Sequence, residues 1–338
     1  MRVMVTGGAG YIGSVLSRML LDKGYDVTIL DRLFFSSDSI KDISDRITLL
    51  KTDSRWYEPS ALKGVDAVFD LAALSNDPSG ELDQKKTLEI NHEARARTAK
   101  LAKKNGVSKY VLASSCSVYG FQEGILTEQS APNPLTTYAK ANILAEKDNL
   151  TLGDKKFTST AVRQATVYGY SDRMRLDLAV NGMVLGFFKN GKIPIMRDGK
   201  QWRPFVHIKD TSSAFIKILE SEPDLVNGQI FNVGSENQNV QIFDLAKEVA
   251  EAIKLPFNFE WYGSTDTRSY KVSFEKIRKT LGYKTAYTAA DGAREVYEAL
   301  KSGKLNGDDP RTITVKWYKQ LMEMHSIMKD VEMNGVVL

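Results

Sequence analysis

A single cysteine in 338 residues leaves no partner for an internal disulfide, so the fold must be held by its core alone. The three histidines, His92, His207 and His325, lie far apart with none of the short spacings of a metal motif, and no metal site is read from them. No apolar run approaches the ~20 residues of a membrane span, so no membrane partner is expected. Charge of one sign is not in surplus either, since 46 Lys and Arg stand against 42 Asp and Glu for a formal net charge of +4. No basic block stands out, and nucleic acid is not implied. A mildly basic balance does suit a small anionic substrate. A first strand read from residue 2 leaves no room for a secretory leader, and a cytoplasmic protein is expected.

What is there is an ordinary globular composition, 42% hydrophobic and 26% charged, long enough for one large or two interlocked domains. Apolar segments alternate with amphipathic ones through the first half. Strands are read at 2–6, 26–31, 46–50, 66–71, 109–114 and 157–163, and helices at 11–23, 82–105 and 136–152. Such alternation predicts an α/β fold with a doubly wound parallel sheet, and strands that are apolar on both faces fit helices on both sides. After residue 170 the pattern loosens into a helix at 177–190 and strand-like pieces at 192–196, 203–207 and 229–233. Helices follow near 209–221, 241–254, 273–280, 290–301 and 311–329, and 330–338 is read as a tail. No Pro/Gly linker separates the parts, so they are expected to pack together.

The opening carries a ligand signature. Val3-Met4-Val5-Thr6 runs into Gly7-Gly8-Ala9-Gly10-Tyr11-Ile12-Gly13 and then an amphipathic stretch. A strand, a glycine turn and a helix start in that order form a dinucleotide cradle. Gly7 permits the turn, Gly10 lets backbone approach the pyrophosphate, and Gly13 lets helix and strand close up. The helix N-terminus aims N–H groups and its positive dipole end at the phosphates. A second strand ends in Asp31, about 20 residues on, where a carboxylate bonds the adenine ribose and repels a 2′-phosphate. NAD is therefore read in preference to NADP, with Arg32 as the one residue that could take a 2′-phosphate.

Further motifs sharpen the picture: Leu71-Ala72-Ala73, Asn91, Ser114-Ser115, Val118-Tyr119-Gly120, Tyr138 at a helix start, and Trp202-Arg203-Pro204-Phe205-Val206-His207. With the glycine turn, Asp31 and Asp53, these resemble the extended short-chain dehydrogenase/reductase superfamily, in particular its NAD-dependent nucleotide-sugar epimerases and dehydratases of the UDP-galactose 4-epimerase type. The resemblance covers nearly the whole chain. It implies a Rossmann domain of residues 1–170 and 204–234 and a smaller mixed α/β substrate domain of 171–203 and 235–338. It implies NAD held by Gly7, Gly10, Tyr11, Ile12, Gly13, Asp31, Asp53, Ser54, Leu71, Ala72, Ala73 and Asn91, with Tyr138 and position 142 at the nicotinamide ribose. Tyr138 matches the general base and Ser115 the hydroxyl that bonds the reacting sugar oxygen. Arg203 matches a grip on the substrate diphosphate, with Arg268, Asn181 and Thr166 beside it, and arginine's planar fork suits phosphate. The substrate implied is a nucleotide-diphosphate sugar, and the assembly a homodimer paired through helices 82–105 and 136–152, by way of Leu88, Ala94, Leu101, Ala139, Ile143 and Leu150.

One departure stands against these matches. The family pattern is Tyr-x-x-x-Lys, and residues 138–142 read Tyr-Ala-Lys-Ala-Asn. Residues four apart share a helix face, whereas Lys140 lies about 200° round the axis. Asn142 can still bond the ribose but supplies no charge, and a nearby cation is what lowers a phenol's pKa. Cys116 and Ser117 occupy positions that hold an Asp-Glu pair in 4,6-dehydratases, which disfavours that elimination. The resemblance therefore implies a 4-epimerase working through a transient 4-keto sugar, weakened at Asn142. Two readings stay open beside it: a C4 dehydrogenase or 4-ketoreductase, favoured by the heptose-enzyme-like segment Asp172 to Asn181, and a catalytically silent NAD or sugar-nucleotide sensor. Titration calorimetry checks the cofactor reading: NAD is expected to bind more tightly than NADP, and Asp31→Ala to narrow the gap.

Overall fold

The computed structural model describes residues 1–266 and 268–336, so the last two residues of the expected tail lie outside it. Seven strands, β1 (Arg2–Thr6), β2 (Asp26–Asp31), β3 (Ile47–Lys51), β4 (Ala67–Asp70), β5 (Lys109–Ser115), β6 (Thr158–Gln164) and β7 (Ile230–Val233), form one sheet. Their spatial order is β3-β2-β1-β4-β5-β6-β7 and every pairing is parallel. Parallel neighbours need crossovers over a face, and the direction of winding reverses between β1 and β4. A ligand crevice opens at the carboxyl ends of the strands at such a reversal.

Successive residues of a strand point to opposite faces, and the sheet buries both. Val3, Val5, Ile29, Phe69 and Val111 pack in one core with Leu16 and Leu20 of α1 (Tyr11–Asp22). Met4, Leu30, Val68, Tyr110 and Leu112 pack in the other, with Ala99 and Ala102 of α2 (Ala94–Lys104) and Ala145 of α3 (Thr137–Leu150). Phe215 of α4 (Ile208–Glu220) stacks edge-on against Phe69 on the first face.

The six strands read from periodicity in the first half lie within a residue or so of their expected places. The 82–105 helix differs: it is a short helix at Gln84–Leu88, a π-helical turn at Glu89–Glu93, and then α2. The wide turn swings Asn91 inward, where its amide accepts from Leu74 N at 2.8 Å and donates to Leu74 O at 3.0 Å. Several strands left no periodic trace. Thr166–Tyr168 and Asn239–Gln241 flank Trp202–His207 and are too short to alternate; Phe259–Tyr262, paired with Ile193–Met196, is exposed at every position. Phe121–Leu126, interrupted by Gly124, pairs with Ser269–Val272.

Of the residues read as a helix-pairing surface, Leu101, Ile143 and Leu150 pack against the chain's own cores, and Ala94 and Ala139 are buried. His207 is likewise a packing residue: its Nδ1 accepts from Lys209 N at 3.3 Å, capping α4, and its ring stacks on Tyr287 at 4.3 Å. No described helix is long and apolar enough to cross a membrane.

A buried ion pair ties α3 to the sheet. Glu146 Oε2 meets Arg163 Nη2 of β6 at 2.7 Å and Oε1 accepts from Nε at 3.0 Å, with both side chains 4% exposed. The Ser114 hydroxyl of β5 donates to the same carboxylate, and Arg163 Nη1 donates to Tyr119 Oη at 3.0 Å. Removing one partner of such a pair strands the other charge. Glu146→Gln is expected to cost about 3–5 kcal/mol, read as a lower urea midpoint at unchanged slope. Lys247→Ala, which breaks an exposed pair with Asp244, should cost at most about 1 kcal/mol.

Candidate functional site

The carboxyl ends of β1, β2, β4, β5 and β6 open into a cleft of about 810 Å³. Its floor is the glycine turn. Gly7 has φ +68°, and a Cβ there would sit 3.0 Å from Ala72 N; a Cβ on Gly13 would sit 2.2 Å from the Gly7 carbonyl oxygen. Any larger residue at Gly13 must force α1 off β1. Helix α1 begins behind Gly10 with no side-chain cap and no acidic residue in its first turn, so its leading N–H groups remain open towards the cleft. An uncapped helix end behind a backbone with no room for a Cβ fits a dinucleotide pyrophosphate.

At the end of β2, Asp31 accepts from Ala9 N at 3.0 Å and Leu33 N at 2.7 Å. Burial raises its carboxyl above the usual range against the pull of those bonds, and further donors such as ribose hydroxyls would relieve it. Arg32 is taken: it pairs with Asp53 at 3.0 Å and lies over Phe34 at 4.6 Å. Asp53 also holds Arg55 at 2.9 Å; burial opposes its charge, but the hydrogen bonds and charge of Arg55 prevail and its carboxyl lies below the usual value.

Ser115 ends β5, its hydroxyl accepting from Ser117 N at 3.1 Å. Tyr138 stands in the first turn of α3, whose Thr136 cap accepts from Ala139 N at 3.2 Å and donates to Asp77. Both line the cleft. Cys116 does not: it is buried, its thiol donates to Arg163 O at 3.2 Å, and burial pushes that thiol well up, which makes it a packing residue.

The far wall is a cluster of charge. Asp266 Oδ2 accepts from Arg203 Nη2 at 2.8 Å and from Arg268 Nη2 at 2.7 Å, and Arg268 also meets Asp77. Burial works against the Arg268 charge, and the bond to Asp266 with the charges of Asp77 and Asp266 more than restores it. Asp177 holds Arg175 and accepts from Asn76 Nδ2, each at 3.0 Å. Five carboxylates (Asp31, Asp53, Asp77, Asp177, Asp266) thus line the cleft, each already engaged. The cations lining it are Arg32, Arg95, Arg173, Arg175, Arg203, Arg268 and Lys316. Among the described residues, neither Arg95 nor Arg173 has a carboxylate within ion-pair distance, although both are buried. Arg173 lies 3.6 Å over Phe35, and burial first and Arg175 second hold its pKa down to about 10. No cluster of metal-ligating side chains gathers among the described residues.

Most residues singled out in the sequence line this cleft, from Gly7, Tyr11 and Ile12 through Ser54, Leu71, Ala73 and Thr166 to Arg268. Three asparagines differ: Asn91, Asn142 and Asn181 are fully buried and stand behind the wall. Asn181, expected to touch phosphate, donates to Tyr11 Oη at 3.1 Å and Arg175 O at 2.9 Å and accepts from Gly169 N at 3.0 Å. An amide so committed has little left for a ligand. Asn142, expected at the ribose, accepts instead from Arg95 Nη1 at 2.9 Å. Sequence reasoning missed Arg95 and Arg173. No local signal marked Arg95, because the π-helical turn at Glu89–Glu93 breaks the spacing that would relate it to Asn91.

Comparison with known proteins agrees with this geometry. The model of the NAD dependent epimerase/dehydratase family matches residues 3–234. The UDP-glucose 4-epimerase of Lactobacillus helveticus is 26% identical over 312 residues, 86% of this chain and 94% of its own. UDP-glucuronic acid decarboxylase 1 of Arabidopsis thaliana is 24% identical over 91% of this chain and 72% of its own. The structure of MoeE5 in complex with UDP-glucose and NAD superposes with TM-score 0.79 at 27% identity, covering 90% of this chain and 100% of that one.

The shared carboxylate of the arginine cluster sets a pH dependence. Burial raises the Asp266 carboxyl, but the bond to Arg268 and the charges of Arg203 and Arg268 outweigh it and the group lies below the usual aspartate value. Its stabilisation is therefore complete above the pH at which an unfolded aspartate ionises, and is lost as pH falls through its lower folded value. The thermal midpoint of Asp266→Asn should trail the parent by a constant gap near neutrality, and the gap should close on acidification.

Proposed function

The chain belongs to the NAD-dependent epimerase/dehydratase family, an NAD-dependent group of enzymes that act on nucleotide sugars, and from that premise we propose that it is a nucleotide-sugar 4-epimerase. NAD, when bound, accepts a hydride from the sugar and returns it. The chain's own residues supply the rest. Tyr138 removes the proton from the C4 hydroxyl while the Ser115 hydroxyl bonds the same oxygen, and both open onto the floor that the glycine turn forms. Arg203 and Arg268 hold the diphosphate as a pair, since two guanidinium forks share one carboxylate and keep their remaining donors. Held only by that fixed diphosphate, a 4-keto sugar would be free to turn and present its other face to the cofactor floor.

One observation carries the choice of epimerisation over elimination. Loss of water across the sugar ring needs a free acid and base, yet every carboxylate lining the cleft is bonded to an arginine or to backbone N–H groups, and positions 116 and 117 hold a buried thiol and a hydroxyl. An internal hydride shuttle needs only the tyrosine and the serine. Incubation with UDP-glucose, UDP-glucuronic acid and their GDP, CDP and dTDP counterparts in deuterated water is the test. The C4 epimer should form with no deuterium at C4, because the hydrogen never leaves the site. Net formation of NADH with a 4-keto product would replace the reading with C4 oxidation, and tight binding without either product would replace it with a sensor.

Arg203→Ala is expected to weaken sugar-nucleotide binding by about 2 kcal/mol or more and leave NAD affinity nearly unchanged. Equal losses for both ligands in calorimetry would make Arg203 a structural residue. The family resemblance also supports a homodimer, for which light scattering should return twice the chain mass at micromolar concentration.

A further inference from the structure

We propose that Arg95 supplies the positive charge that serves Tyr138 and the nicotinamide ribose, in place of an ammonium on α3. This inference rests on the epimerase reading of the site, in which Tyr138 is the base.

Helix α3 offers no cation to that face. Position 142, one turn after Tyr138, is an amide, and Lys140 is exposed on another side of the helix. The charge arrives from α2 instead. The Arg95 side chain reaches across to the β4 end and to α3, where Nε donates to Ala72 O at 3.1 Å and Nη1 donates to Asn142 Oδ1 at 2.9 Å. Its third nitrogen, Nη2, has no hydrogen-bond partner among the described residues, and the side chain lines the cleft next to Ala72 and Ala73. Ala72 in turn lies against the glycine turn, its N 3.0 Å from where a Gly7 Cβ would be. The fork is thus held on one side by two neutral acceptors and turned on the other towards the cofactor floor.

Two properties mark this contact as a replacement rather than incidental packing. First, a guanidinium only donates, so its neighbour at 142 has to accept; asparagine can, and lysine cannot. A lysine at 142 would set two cations against each other within hydrogen-bonding reach in a buried site. Arg95 with Asn142 is one compatible arrangement, and an uncharged residue at 95 with lysine at 142 is the other. Asn142 gains little for itself, since its Nδ2 is buried without a partner. Secondly, the charge of Arg95 is not cancelled. Arg95 is 3% exposed with no carboxylate in ion-pair range among the described residues, and a buried charge in that condition favours whatever anionic or hydroxyl group enters beside it.

Most other charged groups on the segments beside Tyr138 are already matched. From the 173–177 segment, Arg175 is paired with Asp177; from the 77–81 turn, Asp77 is paired with Arg268, and Glu81 accepts from Thr137 N at 2.7 Å. Arg173 is unpaired but lies over Phe35, next to the Asp31 end of the cleft. Arg95 is therefore the buried cation without a carboxylate partner that bonds directly to the tyrosine's own helix, at Asn142 one turn after Tyr138.

The test uses Arg95→Met, Asn142→Lys and the double variant, each checked by circular dichroism. NAD affinity is measured by calorimetry without sugar nucleotide, and the pH dependence of turnover is measured with it. Arg95→Met should weaken NAD about tenfold, as for the loss of one charge-assisted hydrogen bond, and move the turnover profile towards alkali. Asn142→Lys alone should also lose NAD affinity. Combining the two should restore both affinity and profile. A folded Arg95→Met with unchanged NAD affinity and pH profile overturns the proposal. If Arg95→Met fails to fold, Asn142→Lys decides: a rise in turnover with a more acidic optimum overturns the proposal, and a loss of NAD affinity supports it. Because the NAD arms need no sugar, they stand or fall apart from the epimerase reading.

Discussion

The buried Glu146–Arg163 pair is the constraint on which the geometry of the cleft depends. It joins α3 to β6, and through the Ser114 hydroxyl it also holds the end of β5. Ser115 and Tyr138 come from different elements, and this one carboxylate fixes the distance between their supports. The inner face of α3 is otherwise alanine, asparagine and little else, so packing alone would allow the helix to slide. Buried ion pairs are expensive to desolvate and are not a general source of stability. Here the pair is directional: a bidentate fork on a carboxylate specifies one register of the helix on the sheet. Arg163 extends that specification through Tyr119 Oη to Asn232 of β7, 2.8 Å further on.

The cleft applies the opposite principle. Most charges are answered by a neighbour, yet seven cations stand against five carboxylates, so the lining keeps a positive surplus, and the two unanswered guanidinium groups sit at separate places along it. Arg173 lies towards the Asp31 end and Arg95 behind Ala72. Against burial, arginine holds the carboxyls of Asp53, Asp177 and Asp266 below their usual range, so these three stay ionised. The three buried asparagines complete this division of labour: they support the loops at Leu74 and Gly169 and the fork of Arg95.

Much of this was legible in the sequence because the relevant signals are local. A parallel strand buried on both faces writes a solid apolar run, and a glycine turn before a helix writes its own spacing, so β1, β2, β4, β5 and the cradle could be read directly. What could not be read depends on partners distant in the chain. Phe259–Tyr262 is a strand only because Ile193–Met196 lies beside it, and the wide turn at Glu89–Glu93 exists because Asn91 has Leu74 to bind. Asn142 is the instructive case. Taken alone it is a missing charge; its meaning changes once Arg95, 47 positions earlier, is found bonded to it.

The order of strands has a consequence for how the molecule is made. β1 is synthesised first and ends near the middle of the sheet, whereas β7, which covers the outer edge of β6, follows only after Tyr168, the substrate wall and α4. At ribosomal rates of ~5–20 residues per second that edge stays open for roughly 3–13 s, and open strand edges recruit other chains. The cleft closes later still: Trp317 Nε1 donates to Phe34 O at 2.6 Å, and Arg311 meets Asp38 at 2.8 Å, so the last helix is clamped onto the second crossover. Topology of this kind, rich in distant pairings, folds slowly. A nascent chain therefore possesses its glycine turn long before it possesses a pocket, and its most vulnerable interval is the one in which the sheet exists without its final edge.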